Sequence, residues 1–346
     1  MIPVQNIYYM LSYAFRTLQA QEYQNLATEP FHNTADLCAA ILSKGISGQL
    51  KRGLERDYIE QTNALSTPRG RIDSSSSLKT CSLLRRQLVC TYDDFSENSY
   101  MNRILKTTLM LLMHANIAPK RKKDLRRVLL YFTNVDMLDL HKIQWHLRYH
   151  RNNQTYYMLI SICYLVVKGL IQTNEDGTTR LMTYLDDQRM CRLYEKFILA
   201  YFQKEFPQIS VSSAQIAWAL DDGMGPMLPI MLSDVMLRYR EKVLIIDAKY
   251  YTHILQTQYD RQTWHSNNLY QIFAYVKNKD AEMVKEPREV SGMLLYAGTD
   301  ENVQAHHTYQ MSGNVICVRT LDLNCNFDKI SAQLNQIVEK FFGIIT

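Results

Sequence analysis

The sequence predicts an α/β protein in two parts: an α+β, mostly helical N-terminal domain over residues 1–175, and a domain over 176–346 with a mixed central sheet flanked by helices. Three observations predict this. A chain of 346 residues is longer than a single core usually holds. The polar, turn-rich stretch Asn174–Thr179 separates two apolar patterns. After it, helical and extended patterns alternate, as they do where helices pack on a sheet.

In the first part, Ile7, Met10, Leu11 and Ala14 share one helical face, so residues 4–18 read as an amphipathic opening helix. A second helical pattern runs from Thr34 through Ile46 and ends near Gly48. Residues 54–73 are polar and broken by Pro68 and Gly70, with extended pieces at Tyr58-Ile59 and Arg71-Ile72. Ser74–Ser77 reads as a short linker and Arg85–Tyr92 as a strand. Helices follow at 99–115, 119–131 and 156–171. The second part reads as a helix over 188–206, strands at 208–218, 229–238 and 242–250, and a helix over 263–279. Strands at 289–297 and 307–319 and a closing helix over 327–342 complete it.

Composition narrows the class. Hydrophobic residues make up 47% and charged residues 21%, which excludes a disordered chain. The net charge of +5 is mildly basic and does not by itself point to nucleic acid. The densest basic run, Lys120-Arg121-Lys122-Lys123 with Arg126 and Arg127, follows Pro119, a residue tolerated at a first helical position. It reads either as a cationic stripe in which Lys120 and Arg121 contact DNA phosphates or as a solvated helix face. The seven cysteines are scattered without a CxxC pair, so neither a zinc ribbon nor a disulfide framework is expected. The opening residues lack the features of a secretory leader, and the apolar run Tyr156–Val167 is too short to cross a bilayer. A cytoplasmic protein without a membrane partner is the expectation.

The chemistry is concentrated in Met231–Tyr251. Val243–Ile246 is a continuous, partly β-branched apolar run, the pattern of a strand buried on both faces. Asp247 and Lys249 follow abruptly, two apart, so their side chains share one sheet face. Asp234 closes the apolar stretch upstream, and a turn at Arg240-Glu241 folds the two strands into a hairpin. Buried Asp and Lys are costly unless paired or bound to an ion. A carboxylate pair suits Mg²⁺, which polarises a phosphate and activates water, while a lysine offsets developing negative charge. Asp234, then twelve residues, then Asp247-Ala-Lys249 is the PD-(D/E)xK nuclease pattern, with Asp234 and Asp247 as the expected metal ligands.

Accessory residues flank this core. Glu195 lies on the preceding helix, where it either reaches the metal and its water or stands as an exposed helical glutamate. Gln271 and Tyr275 are four apart and share a helix face, as in the Gln-xxx-Tyr signature of RecB-like nucleases. The alternative is a polar-capped amphipathic helix. His265 reads as a phosphate contact or as a structural histidine.

The chain resembles the McrC family, the nuclease subunits of McrBC-type modification-dependent restriction systems. The resemblance rests on Ile2–Tyr13, Gly70-Arg-Ile72, Asn102-Arg-Ile-Leu-Lys106, Ile246–Tyr251 and His265–Gln271, and so spans nearly the whole sequence. Ser233 precedes Asp234, where the pattern often has proline or threonine. The resemblance implies Mg²⁺-dependent cleavage of double-stranded methylated DNA. It also implies an AAA+ GTPase partner that recognises modified cytosine and docks on the N-terminal part. GTP would belong to that partner, since no GxxxxGK[ST] loop occurs in this sequence. The alternative function is a regulatory activator of the GTPase ring, with cleavage secondary or absent.

Overall fold

Helix α1 (Val4–Ala14) departs from a simple two-block division of the chain. Its contacts place Met1–Phe31 with Met182–Thr346 in one unit, while His32–Leu181 forms the other. The cause is local. Asn6 is buried and its Nδ2 donates to the carbonyls of Leu323 and Cys325 at 2.8 and 2.7 Å. Tyr9 stacks on Phe327 with centroids 4.3 Å apart, and the Tyr13 hydroxyl donates to Glu205 Oε1 at 2.8 Å. The apolar face of α1 is plain in the sequence, but the element it covers is not. The structure, a computed structural model, describes residues 2–20, 23, 25–26, 28–149, 154–175, 187–223, 225, 227–250, 255–258, 261–283, 289–298 and 305–344. Residues 176–179 of the expected linker lie outside these.

The unit His32–Leu181 is built on helices α2 (Thr34–Leu50), α3 (Ser74–Lys79), α4 (Tyr100–His114), α5 (Pro119–Leu129) and α6 (Gln154–Glu175). Their starts are chemically marked. Asn33 and Ser99 cap α2 and α4 through side-chain oxygens, and Pro119 opens α5. The serine run expected as a linker is α3, because Asp73 Oδ1 accepts from the Ser76 amide at 2.9 Å and caps it. Strands β1 (Asp57–Leu65), β2 (Arg71–Ile72) and β3 (Leu88–Ser96) form an antiparallel sheet in the order β1-β3-β2. Gly70 is required there: its φ is +69°, and a Cβ would lie 2.4 Å from the Thr91 carbonyl oxygen.

The other unit contains α7 (Asp187–Glu205), strands β4 (Ser210–Ser212) to β8 (Lys242–Lys249), a β9–β10 hairpin (Leu255–Gln258, Arg261–Trp264) and α8 (Ser266–Glu282). It continues with β11 (Glu289–Gly298), β12 (His306–Met311), β13 (Asn314–Asp322) and α9 (Phe327–Phe342). The central sheet has the order β12-β13-β11-β8-β7-β4, with β7 spanning Val235–Tyr239. Strand β11 runs parallel to β8 and β13, and the other neighbours are antiparallel, so the expected mixed sheet is present. The span 307–319, read as one strand, is two strands joined by a turn at Ser312-Gly313, both with positive φ. The 208–218 segment is likewise interrupted, between Ser212 and Gln215.

Alternation along the strands sorts the core. Val243, Ile245, Leu294, Ile316 and Val318 pack with Ile272 and Val276 of α8. Leu244, Ile246 and Ala248 point the other way and are also buried, and α7 and α9 contact the same strand. Helix α8 lies close on β11 because Gly292 carries no side chain. A Cβ there would sit 2.7 Å from Val276 Cγ2 and 2.9 Å from Ile272 Cγ1. Gly292→Ala is therefore expected to overpack this seam and lose about 1–3 kcal/mol, read as a lower denaturation midpoint. Unchanged stability would show that the seam yields freely. Among the described residues no helix is long and apolar enough to cross a membrane.

Candidate active site

The expected strand pair is a hairpin: β7 and β8 run antiparallel from Val235↔Ile246 to Tyr239↔Lys242, and Arg240 takes φ +52° in the turn. Asp234 immediately precedes β7 rather than closing a strand. The upstream stretch breaks at Ser233, whose amide donates to the Ala214 carbonyl and whose hydroxyl also hydrogen-bonds Ala214. This break turns Asp234 towards β8, where its Oδ2 accepts from the Ala248 amide at 2.8 Å. Asp234 and Asp247 are thus brought together from one hairpin.

Asp247 ends the apolar run of β8, and its side chain is 2% exposed. The Lys249 ammonium lies 3.0 Å from Asp247 Oδ2. That oxygen nevertheless has no hydrogen bond of acceptable geometry among the described residues. Lys249 Nζ also donates to Gln271 Oε1 at 3.2 Å, and Gln271 Nε2 donates to the Tyr275 hydroxyl at 2.8 Å. Gln271 and Tyr275 thus share the α8 face that the spacing predicts. They orient Lys249, and Tyr275 itself is anchored in the core.

Electrostatics bind the carboxylates into one group. Burial, with the Asp234 charge behind it, pushes Asp247 up to about 7 against the opposing pull of Lys249. Burial also raises Asp234, while the Ala248 amide and Lys249 pull it down. Glu195 of α7 is half-buried rather than exposed, and it is raised first by burial and then by Asp234. It therefore belongs to this neighbourhood.

Two supports have no clear signal in the sequence. Cys191, one helical turn before Glu195, donates its thiol to Glu195 Oε1 at 3.1 Å, and burial pushes that thiol up to about 11. The i, i+4 spacing was visible, but nothing marked the cysteine as polar support. Tyr296 stands opposite Lys249 in the β8–β11 register, and its hydroxyl accepts from Asn268 Nδ2 at 3.0 Å, fixing the start of α8 beside the site. His265 occupies the cap position of α8 through its backbone carbonyl, without a side-chain cap bond. Tyr251 lies outside the described residues.

Lys120 and Arg121 are in the other unit, on α5. Lys120, Lys123, Arg126 and Arg127 form its exposed basic face, but Arg121 is buried at 7% exposure. The expected stripe therefore loses Arg121, which the helical phase turns inward beside Leu125.

No group of three or more His, Cys, Asp or Glu among the described residues forms a ready-made metal cage. The residues do fit a cation that needs only one or two carboxylates and keeps its waters, as Mg²⁺ does. The enclosed Asp247 Oδ2 and the burial that raises both carboxylates, with the Asp234 charge adding to it at Asp247, are the features that a cation would relieve.

Fold and site define an α/β protein whose mixed sheet carries a partly buried Asp–Asp–Lys cluster beside a helix-borne Gln–Tyr pair. The chain belongs to the family described as McrBC 5-methylcytosine restriction system component, whose model matches residues 4–297. It is 30% identical over 348 aligned residues to the type IV methyl-directed restriction enzyme EcoKMcrBC of Escherichia coli K12, covering 98% of both chains. Its fold resembles a chain in the assembly of Thermococcus gammatolerans McrB AAA+ hexamers with bound McrC, with a TM-score of 0.50 and 15% identity. That match covers 97% of this chain and 76% of the other. The resemblance drawn from the sequence motifs is borne out at the level of the family.

Proposed function

We propose that this chain is the DNA-cleaving subunit of a modification-dependent restriction system, with a PD-(D/E)xK site that hydrolyses phosphodiester bonds of double-stranded methylated DNA. The observation that carries the reading is the junction of Asp234, Asp247 and Lys249 at the end of one buried strand. Asp234 and Asp247 would hold Mg²⁺. Once bound, the ion would supply Lewis-acid polarisation of the scissile phosphate and an activated water. An ammonium has three donors. Two of those on Lys249 face Asp247 and Gln271, which fixes where its charge meets a phosphate. Glu195, raised first by burial and then by Asp234, is suited to take a proton from the attacking water.

The partner in this reading is an McrB-like AAA+ GTPase, which would consume the GTP and read the modified base. Family membership and the fold shared with the McrB–McrC assembly support it. The unit His32–Leu181 supports it further, because Tyr58, Leu84, Phe95 and Leu130 expose large apolar surface there, as partner-binding faces do. The test is cleavage of methylated plasmid by the purified chain with its GTPase, Mg²⁺ and GTP. Cutting that needs every component supports the reading. Stimulated GTP hydrolysis without cutting under any combination would replace it with a regulatory role.

A further inference from the structure

Away from the acid–lysine cluster, the buried Arg319 has no ion pair among the described residues. Arg319 lies on β13 and alternates with Cys317 and Leu321, so it points away from the Ile316–Val318 side that packs with α8. It is 8% exposed, and its enclosed Nη2 has no acceptor among the described residues. A carboxylate in this position could take up a proton and shed its charge. A guanidinium cannot, so the cost of enclosing it persists until an anion arrives.

The surroundings indicate which anion fits. Strand β12 is the edge of the sheet, and its His306 stands directly opposite Arg319 in the register. His306 is exposed, as is Lys340 in the last turn of α9, the helix that contacts β13. Arg319, then burial, Lys340 and His307 lower the His306 imidazole below its ordinary range, so the charges acting on it among the described residues are positive. Along β12, His306, His307, Thr308, Tyr309 and Gln310 all carry polar hydrogen-bonding side chains and none is acidic. A strand whose described side chains carry no carboxylate, backed by an arginine whose Nη2 has no acceptor among the described residues, suits a polyanion.

We propose that Arg319, His306 and Lys340 form a phosphate site occupied by the backbone of DNA running along the β12 edge. The inference rests on the nuclease reading and deepens it by placing a DNA contact outside the cleavage centre. A guanidinium fork matches two phosphate oxygens, with the imidazole and the ammonium closing the rim. Arg319 would turn towards the opening when the phosphate enters.

The test is fluorescence anisotropy of the full chain with a labelled duplex, without divalent cation, over a salt series. Each phosphate contact contributes about one unit to the slope of log affinity against log salt. Arg319→Gln and Lys340→Gln are each expected to lower the slope by about one unit and to weaken low-salt binding several-fold. Lys329→Gln removes the same charge from the other end of α9 and should leave the slope in place. Lys340→Gln and His306→Ala alter exposed side chains, so they decide the matter even where Arg319→Gln fails to fold. Unchanged slopes, or an equal loss in Lys329→Gln, would overturn the inference and leave the nuclease reading standing. A wild-type chain that binds no duplex at any salt would also overturn the inference, while cleavage with the GTPase, Mg²⁺ and GTP decides the nuclease reading separately. Inorganic phosphate against chloride at matched ionic strength separates the sources. Arg319-dependent phosphate binding without any duplex effect would rule out a DNA backbone contact.

Discussion

Asp234→Ala and Asp247→Ala are each expected to reduce DNA cleavage by on the order of 10³-fold or more, about 4 kcal/mol of lost transition-state stabilisation. Either change removes half of the carboxylate pair gathered at the start of β7 and the end of β8. Lys249→Ala should lose on the order of 10²–10³-fold, because its ammonium is the positive charge held beside Asp247. Lys249→Arg should not rescue it, since a planar fork cannot serve both Asp247 and Gln271 from that position. Gln271→Ala acts through Lys249 and should have a smaller effect, roughly 10-fold. Circular dichroism and GTPase stimulation should stay near wild type in all of them. Retained cleavage in the Asp247 variant would remove the site assigned here.

The second large effect runs in the opposite direction. Asp247→Asn should make the metal-free protein more stable by about 1–3 kcal/mol at pH 8 while abolishing cleavage. The Asp247 carboxyl is pushed up to about 7 in the folded chain, chiefly by burial. In the unfolded chain it titrates near the ordinary value of about 4. Between those values the folded protein holds the extra proton, so stability falls as pH rises through about 4 to 7. An amide carries no charge to enclose and lacks this slope, and Lys249 keeps Gln271 as a partner. Thermal melts from pH 4 to 8 in chelator would show the two curves diverging as pH rises. A variant less stable than wild type at pH 8 would mean that the Asp247–Lys249 attraction outweighs the burial of the two charges.

The central strand was legible because its chemistry is local. Val243–Ile246 followed by Asp247 and Lys249 identifies a buried strand with a charged end, and the two-residue period fixes their common face. Gln271 and Tyr275 were legible for the same reason, through the helical period. The placement of Asp234 was less so. Its apolar flank suggests the end of a strand, but the strand is interrupted by Ser233, whose hydrogen bonds to Ala214 are long-range. The packing of α1 against α7 and the Leu323–Cys325 segment could not be read, because an amphipathic face does not name its partner. Arg121 was misplaced because a basic run hides helical phase: one of every few positions must face inward whatever its charge. The serine run at α3 was misjudged for want of its cap, since Asp73 contributes more there than serine composition does.

The most direct measurement is the anomalous diffraction of crystals of the full chain soaked in Mn²⁺, a Mg²⁺ substitute with usable scattering. A peak is expected between the carboxylates of Asp234 and Asp247, and it should vanish in Asp247→Ala. A Mn²⁺ peak at another site, with Asp234 and Asp247 unliganded in a form of the protein that still cuts DNA, would contradict it.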